Sequence, residues 1–336
     1  MIACYRTSAR PFRAARTLAP MALLLALTLA VPGTALSNQL TNPALTAELA
    51  ALAPAELVER WLDAGRAEQA EIEGTLLTAA ASAQTLLRQL LADGTIAEKR
   101  LSASLLGLQR DTDSVVALIA AAAADSDSSV RRDALIALRR IGAPSSASAM
   151  RLLLAATNDP TLLKNALAVL GRVGGPTDAF LVRLLSNHSD PTVRVTAAGV
   201  AAMLGDDGLE ADLVDAVYSD ESLTRLTALY YLGFTDGIES GALLNAIVAD
   251  PDAAWRSYAR IALAERELRA LQASARPEQL GVLAADLNTT VARWAIEKLA
   301  EDGGSAALAE LQALAATGTK AADMAARQFS ALTGAP

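Results

Sequence analysis

Asp190-Pro-Thr-Val-Arg-Val-Thr-Ala-Ala198 compresses into nine residues an acidic turn, a proline and the start of an apolar stripe with helical period. Asp127-Ser-Ser-Val-Arg-Arg-Asp-Ala-Leu135 has the same form, and weaker copies open at Asp159-Pro160, Asp220-Glu221 and Asp250-Pro251. Successive Asp positions differ by 32, 31, 30 and 30. A fixed period in that range is the signature of stacked supersecondary units, each unable to cover its own apolar face.

Each unit carries its own start and stop. A turn Asp or Ser accepts from unpaired N–H groups of the first helical turn. Proline at the first helical position loses no hydrogen bond there, and Gly permits a left-handed C-terminus. The apolar positions Val130, Ala134, Ala137, Leu138 and Ile141 precede Gly142. Leu162, Ala166, Val169, Leu170 and Val173 precede Gly174, and Val193, Ala197, Val200, Ala201 and Leu204 precede Gly205. Later copies drift, through Thr224, Arg225 and Ala228, then Trp255, Arg256, Ala259 and Leu263, to Val291, Ala295 and Leu299 after a wider gap. A degenerate copy begins near Asp93. Between these helices the pattern predicts partner helices at 147–156, 178–185, 209–217 and 242–248. The expectation is an all-α solenoid that forms a long curved rod, with a helical cap over 38–92, repeats over 93–304 and a second cap over 305–336.

The turn-and-helix segments 127–135 and 190–198 resemble the second helix of HEAT repeats, most closely the short bacterial kind of the phycobilisome-lyase-like subgroup. The resemblance covers about residues 93–303. It implies a right-handed α-α superhelix whose second helices line a concave face that binds another protein. It also implies a ladder between neighbouring turn Asp and Arg side chains, here Arg131, Arg194, Arg225 and Arg256, with Lys164 and Arg293 fitting imperfectly. Some members of that subgroup act as lyases or isomerases on a chromophore or its carrier protein, which is the alternative reading.

Composition agrees with helix stacking. Hydrophobic residues make up 52% of 336 but aromatic residues only 4%, so the apolar surface is mostly Ala and Leu, both good helix formers. Arg6, Arg10, Arg13 and Arg16, followed by the apolar run Met21–Val31 and then Pro32 and Gly33, read as a secretory signal over 1–37, cut after Ala35 or Ser37. The run is too short to span a bilayer, so contact with a membrane is expected only through this segment before cleavage, and the mature chain is expected in the periplasm or secreted. Cys4 would be lost on cleavage, leaving stability to packing without disulfides. The remaining 25 basic and 37 acidic residues give a balance of −12, which argues against nucleic acid as a partner.

Chemistry is sparse. His188 is the only histidine and sits in the turn Ser186-Asn-His-Ser-Asp190; with no mature cysteine beside it, a zinc site is improbable. No phosphate-binding loop, nucleophile elbow or Ser-x-x-Lys pair occurs, and Asp206-Asp207 and Glu301-Asp302 read as helix-end acids rather than an acid–base pair. We expect a non-catalytic chain without cofactor. The expected partner is a protein with an acidic surface, met on the concave side by Arg132, Arg139, Arg140, Arg172, Arg194, Arg225, Arg256 and Arg260. An aromatic group comprises Tyr230, Tyr231, Phe234, Trp255, Tyr258 and Trp294; Tyr231 and Trp255 are its candidates for that face, and filling the core is the competing reading.

Overall fold

The computed structural model describes residues 43–317, 319 and 321–334; the signal reading at 1–37 lies outside them. Nineteen α-helices and no strand occur among the described residues. The first five are Pro43–Ala50 (α1), Pro54–Asp63 (α2), Arg66–Thr78 (α3), Ala80–Asp93 (α4) and Ile96–Leu108 (α5). Outer and inner helices then alternate: Val115–Ala124 (α6) with Ser128–Ile141 (α7), Ala147–Ala156 (α8) with Pro160–Val173 (α9), and Ala179–Arg183 (α10) with Pro191–Met203 (α11). The series continues as Glu210–Ala216 (α12) with Ser222–Tyr231 (α13), Ile238–Ala249 (α14) with Arg256–Ala270 (α15), and Arg276–Ala284 (α16) with Thr289–Asp302 (α17). Ser305–Ala315 (α18) and Ala322–Thr333 (α19) complete it. Every inner helix from α5 to α19 packs on the next, which makes the fold an all-α solenoid.

The repeat signals act locally as their chemistry requires. Asp127 accepts from the N–H groups of Ser129 and Val130, Asp159 from Thr161 and Leu162, and Asp190 from Val193. Gly142 and Gly205 adopt left-handed backbone at φ 66° and 91°. Gly174 does not; its φ of −78° and ψ of 178° are extended, so α9 ends without a left-handed cap. Asp250 caps no helix N-terminus: it follows the C-terminus of α14, accepts from the Asp252 N–H at 2.9 Å, and α15 starts only at Arg256.

The small residue of each inner helix is the point of closest packing. Ala134, Ala166, Ala197, Ala228, Ala259 and Ala295, one per repeat, are all completely buried. Glycines bring successive inner helices closer still. A Cβ on Gly107 would lie 2.8 Å from Cα of Ala137, one on Gly233 3.0 Å from the Ala262 carbonyl oxygen, and one on Gly199 1.9 Å from Cγ of Tyr231. Each contact reaches the next inner helix about one repeat onward. Gly171 lies inside α9 and packs against Val200 and Met203 of α11 in the same way.

Close approach on one side bends the stack toward that side, and here it bends far enough for the ends to meet. Helix α19 packs on both α3 and α5, and Arg327 Nη2 donates to the carbonyl of Ala70 at 2.8 Å. Ala331 of α19 belongs to the large core that begins at Leu49, whereas Ala325 belongs to a smaller core running from Ile261. The expected curved solenoid therefore curls further than a long rod, into a closed solenoid whose last helix joins two cores.

Two substitutions test this packing by chemical denaturation. Gly199→Ala forces a methyl group into the ring of Tyr231 and is expected to cost about 1–3 kcal/mol or more. Ala197→Asp places an unpaired carboxylate among buried helices and is expected to cost several kcal/mol, on the order of 3. Unchanged midpoints would mean that the inner helices do not meet in this register.

Candidate functional site

Because the solenoid closes, the C-terminal ends of the early inner helices face the late helix α17 across the concave centre. Arg172 Nη1 lies 3.0 Å from Glu301 Oε2, and Arg172 Nη2 donates to the Glu301 carbonyl at 3.4 Å. Lys298 Nζ lies 2.9 Å from Glu265 and 3.8 Å from Glu301, and 5.7 Å from the centre of the Phe234 ring. Arg110, one of the seam residues, has a left-handed backbone with φ 51°, a conformation that costs a non-glycine residue energy. Its Nη1 lies within 3.2 Å of where a Gly303 side chain would begin.

A cavity of about 30 Å³ sits in this seam, room for one or two water molecules. Its wall includes Arg110, Arg139, Arg140, Glu297, Glu301 and Gln328. Burial, reinforced by neighbouring Arg172, pulls the Arg110 guanidinium down to about 10, and burial also lowers Arg140. The two carboxylates of α17 move in opposite directions. Burial lifts Glu297 to about 7 against the pull of Arg140, Arg293 and Arg139. Burial acts on Glu301 in the same upward sense, but Lys298, Arg172, Arg139 and Arg110 outweigh it and hold the group down to about 2.

The eight arginines expected on the concave side do not share one environment. Arg139, Arg140 and Arg172 converge on this centre, with Arg172 committed to Glu301. Arg132 pairs with its neighbour Asp133 at 2.9 Å, and Arg260 pairs with Asp286. Arg194 and Arg256 are exposed near the N-terminal ends of their helices, away from this centre. Arg225 lies 4.8 Å over the ring of half-buried Trp255, so these two candidates engage each other. Tyr231, expected to face a partner, is only 4% exposed and is edge-packed with Tyr230 at 5.0 Å over Gly199; it is a core residue.

The expected ladder is also corrected. Arg131 and Arg194 donate to carbonyls of their own preceding turns, Asp125 and Ser126 for one, His188 and Ser189 for the other. Neighbouring repeats are linked instead by Arg88 to Asp111, Arg151 to Asp178 and Arg183 to Asp206, each joining an outer helix to the turn before the next, and by Lys99 to Asp125 nearer the inner row. Lys164 reaches Thr192 Oγ1 at 2.9 Å. His188 serves its turn, its Nδ1 accepting from the Asp190 N–H at 3.0 Å. Among the described residues no group of three or more His, Cys, Asp and Glu side chains is placed to hold a metal ion. No described helix is long and apolar enough to cross a membrane.

The opposite shifts of Glu297 and Glu301 predict a signed pH dependence. The folded state holds the Glu297 proton more tightly than the unfolded chain does, so its contribution to stability declines as pH rises from about 4.5 through about 7. Glu301 contributes above about 4.5, and that stability is lost as pH falls toward about 2. Glu297→Gln is expected to raise stability near pH 8 by on the order of 2 kcal/mol and to flatten the decline below it. Denaturant titrations across pH check this, and a parallel profile for the variant would refute the burial of Glu297.

Comparison with known proteins bears on the repeat fold. The model of the family described as HEAT repeats matches residues 83–171 and 177–264, together more than half of the chain. Among solved structures, the chain is similar to the complex of CpcE and CpcF of phycocyanin lyase from Nostoc sp. PCC7120, at 19% identity and a TM-score of 0.43, over 74% of this chain and 94% of that one. It is also similar to human deoxyhypusine hydroxylase in complex with glycerol, at 17% identity and a TM-score of 0.35, over 76% of this chain and 96% of that one. No curated protein matches it. The chain belongs to the HEAT-repeat family.

Proposed function

We propose that this chain is an exported, non-catalytic scaffold that holds a protein partner in the periplasm. One observation carries the reading. Val116, Leu152, Phe180 and Leu184, on the consecutive outer helices α6, α8 and α10 and the turn that continues α10, are 60–79% exposed. Val116 and Phe180 occupy the second position of their helices, whereas Leu152 and Leu184 fall at the sixth, four residues on and hence on the same face. Large apolar side chains thus recur along one face of the outer row, and exposed apolar surface of this kind marks interaction sites. The concave centre, by contrast, is taken up by the chain's own charged side chains, so partner contact falls to the outer row. The arginine and aspartate pairs beside the patch, Arg151–Asp178 and Arg183–Asp206, supply a polar border of the kind that rims protein interfaces.

Export rests on the n-region arginines and the apolar run that follows them. Mass spectrometry of the chain recovered from the periplasm is expected to find a mature N-terminus following Ala35 or Ser37. A cytoplasmic chain retaining Arg6 to Arg16 would remove this part of the proposal.

The partner is tested by crosslinking in intact cells. Phe180→Ser combined with Leu184→Ser is expected to abolish the crosslinked species while leaving the melting temperature within about 2 °C, because both side chains are already solvated. Retention of the same species at the same yield would show that the outer row is not the docking surface.

A further inference from the structure

We propose that the partner segment held on the outer row carries a Lys- or Arg-rich stretch beside its apolar side chains, and that Asp212 and Asp215 of α12 receive this stretch next to the apolar face of α6, α8 and α10. The inference rests on the outer row being the docking surface and names the chemistry of what docks there. Position leads to it. Asp215 is the sixth residue of α12, the place that Leu152 and Leu184 hold relative to the starts of α8 and α10, and each of these helices follows a short 3-10 turn, so the register is shared. Asp212, three residues earlier, lies on the same face, and both carboxylates are exposed. The face that is apolar through three repeats therefore turns acidic at the fourth. The junction is continuous: Arg183, beside Leu184, pairs at 2.9 Å with Asp206 in the turn that leads into α12, and its Nη1 would stand 2.7 Å from a Cβ on Gly208.

Charge names the occupant. Residues 206–252 hold eleven acidic side chains and one basic one, Arg225, which is most of the acidic excess of residues 38–336. Asp212, Asp215, Asp220, Glu239, Asp250 and Asp252 are exposed, and none of them pairs with a cation of the described residues. In the turn before α12, burial and the charges of Asp236 and Glu210 push the Asp207 carboxyl up, so these acids oppose one another and an incoming cation relieves them. Four of the arginines expected to draw an acidic partner are engaged within the chain: Arg132 with Asp133, Arg172 with Glu301, Arg260 with Asp286, and Arg194 with carbonyls of its own turn. The exposed charge that remains beside the apolar face is negative. Acids alone would take any polycation weakly, whereas the adjoining Phe180 and Leu184 select one that also brings apolar side chains. Packed helices stand about 8–10 Å apart, so the apolar anchor and the first cation lie roughly three residues apart in an extended segment.

Fluorescence anisotropy tests this with the purified chain and three labelled probes: the peptide Phe-Leu-Ala-Leu-Lys-Lys-Lys-Lys, its counterpart with Glu in place of each Lys, and tetralysine. At low salt the lysine-tailed peptide is expected to bind about tenfold or more tightly than either of the others. Asp212→Asn combined with Asp215→Asn is expected to weaken it about three- to tenfold, a loss that fades by about 0.3 M salt, whereas Glu278→Gln, exposed on α16, leaves binding unchanged. Phe180→Ser combined with Leu184→Ser is expected to weaken both tailed peptides. The two readings fail separately. A serine variant that binds like the parent shows that the outer row is not the docking surface, and both fall. If the serine variant loses binding while Lys- and Glu-tailed peptides bind equally, or while the asparagine variant binds like the parent, the apolar surface stands and the cationic assignment is overturned. Tetralysine bound as tightly as the octapeptide, or no measurable binding of the lysine-tailed peptide, likewise overturns it.

Discussion

The distance between successive inner helices governs everything else in this molecule. It is set by side chains too small to hold the helices apart: the six fully buried repeat alanines, and the glycines of which Gly107 and Gly199 make the closest approaches. A HEAT-type unit has two rows of helices, and curvature is the difference between their spacings. With Gly107 nearly touching the backbone of Ala137 and Gly199 lying under the ring of Tyr231, the inner row is short and the stack must curl. The same steric fact places Arg110, Arg140 and Arg172 opposite Glu297, Lys298 and Glu301, although nothing in their local sequence relates them.

Closure changes the thermodynamics of a repeat array. An open solenoid is nearly one-dimensional, its stability a sum over units and their immediate neighbours. Here Arg172 and Glu301 meet across 129 residues, and Arg327 reaches Ala70 across 257. Helix α19 contributes to both cores, so fraying at the C-terminus exposes apolar surface of the N-terminal helices as well. Exposed ion pairs along the outer row, such as Arg183 with Asp206, add little energy each but fix the register of one unit on the next.

What could be read in the sequence was what short-range chemistry decides. Asp127, Asp159 and Asp190 cap because an acidic side chain before a helix meets free N–H groups whatever the fold, and the buried alanines follow from helical period. Asp250 failed because its carboxylate accepts from the Asp252 N–H within its own turn, and α15 begins later, at Arg256. Gly174 failed because a helix can also end extended, with its N–H still bonded to Leu170. The ladder was assigned to the wrong arginines because the side chains of Arg131 and Arg194 find carbonyls in their own turns before they can reach a neighbour. The closed seam left only one trace in the sequence, the glycines one repeat apart from the residues they touch. Their meaning depends on which face each occupies, which is a tertiary property.

The seam also shows why two glutamates four residues apart on one helix diverge so far in acidity. Both are withdrawn from water, and withdrawal alone favours the neutral acid. Glu301 has cations in direct contact, Arg172 at 3.0 Å and Lys298 at 3.8 Å, and Coulomb attraction at that range exceeds the desolvation cost. Arg140, Arg293 and Arg139 act on Glu297 too, but less strongly than its burial does, so desolvation wins. The closure that brings Arg172 onto Glu301 also withdraws Glu297 from water, and the solenoid carries that desolvation cost at the seam where its two ends are brought together.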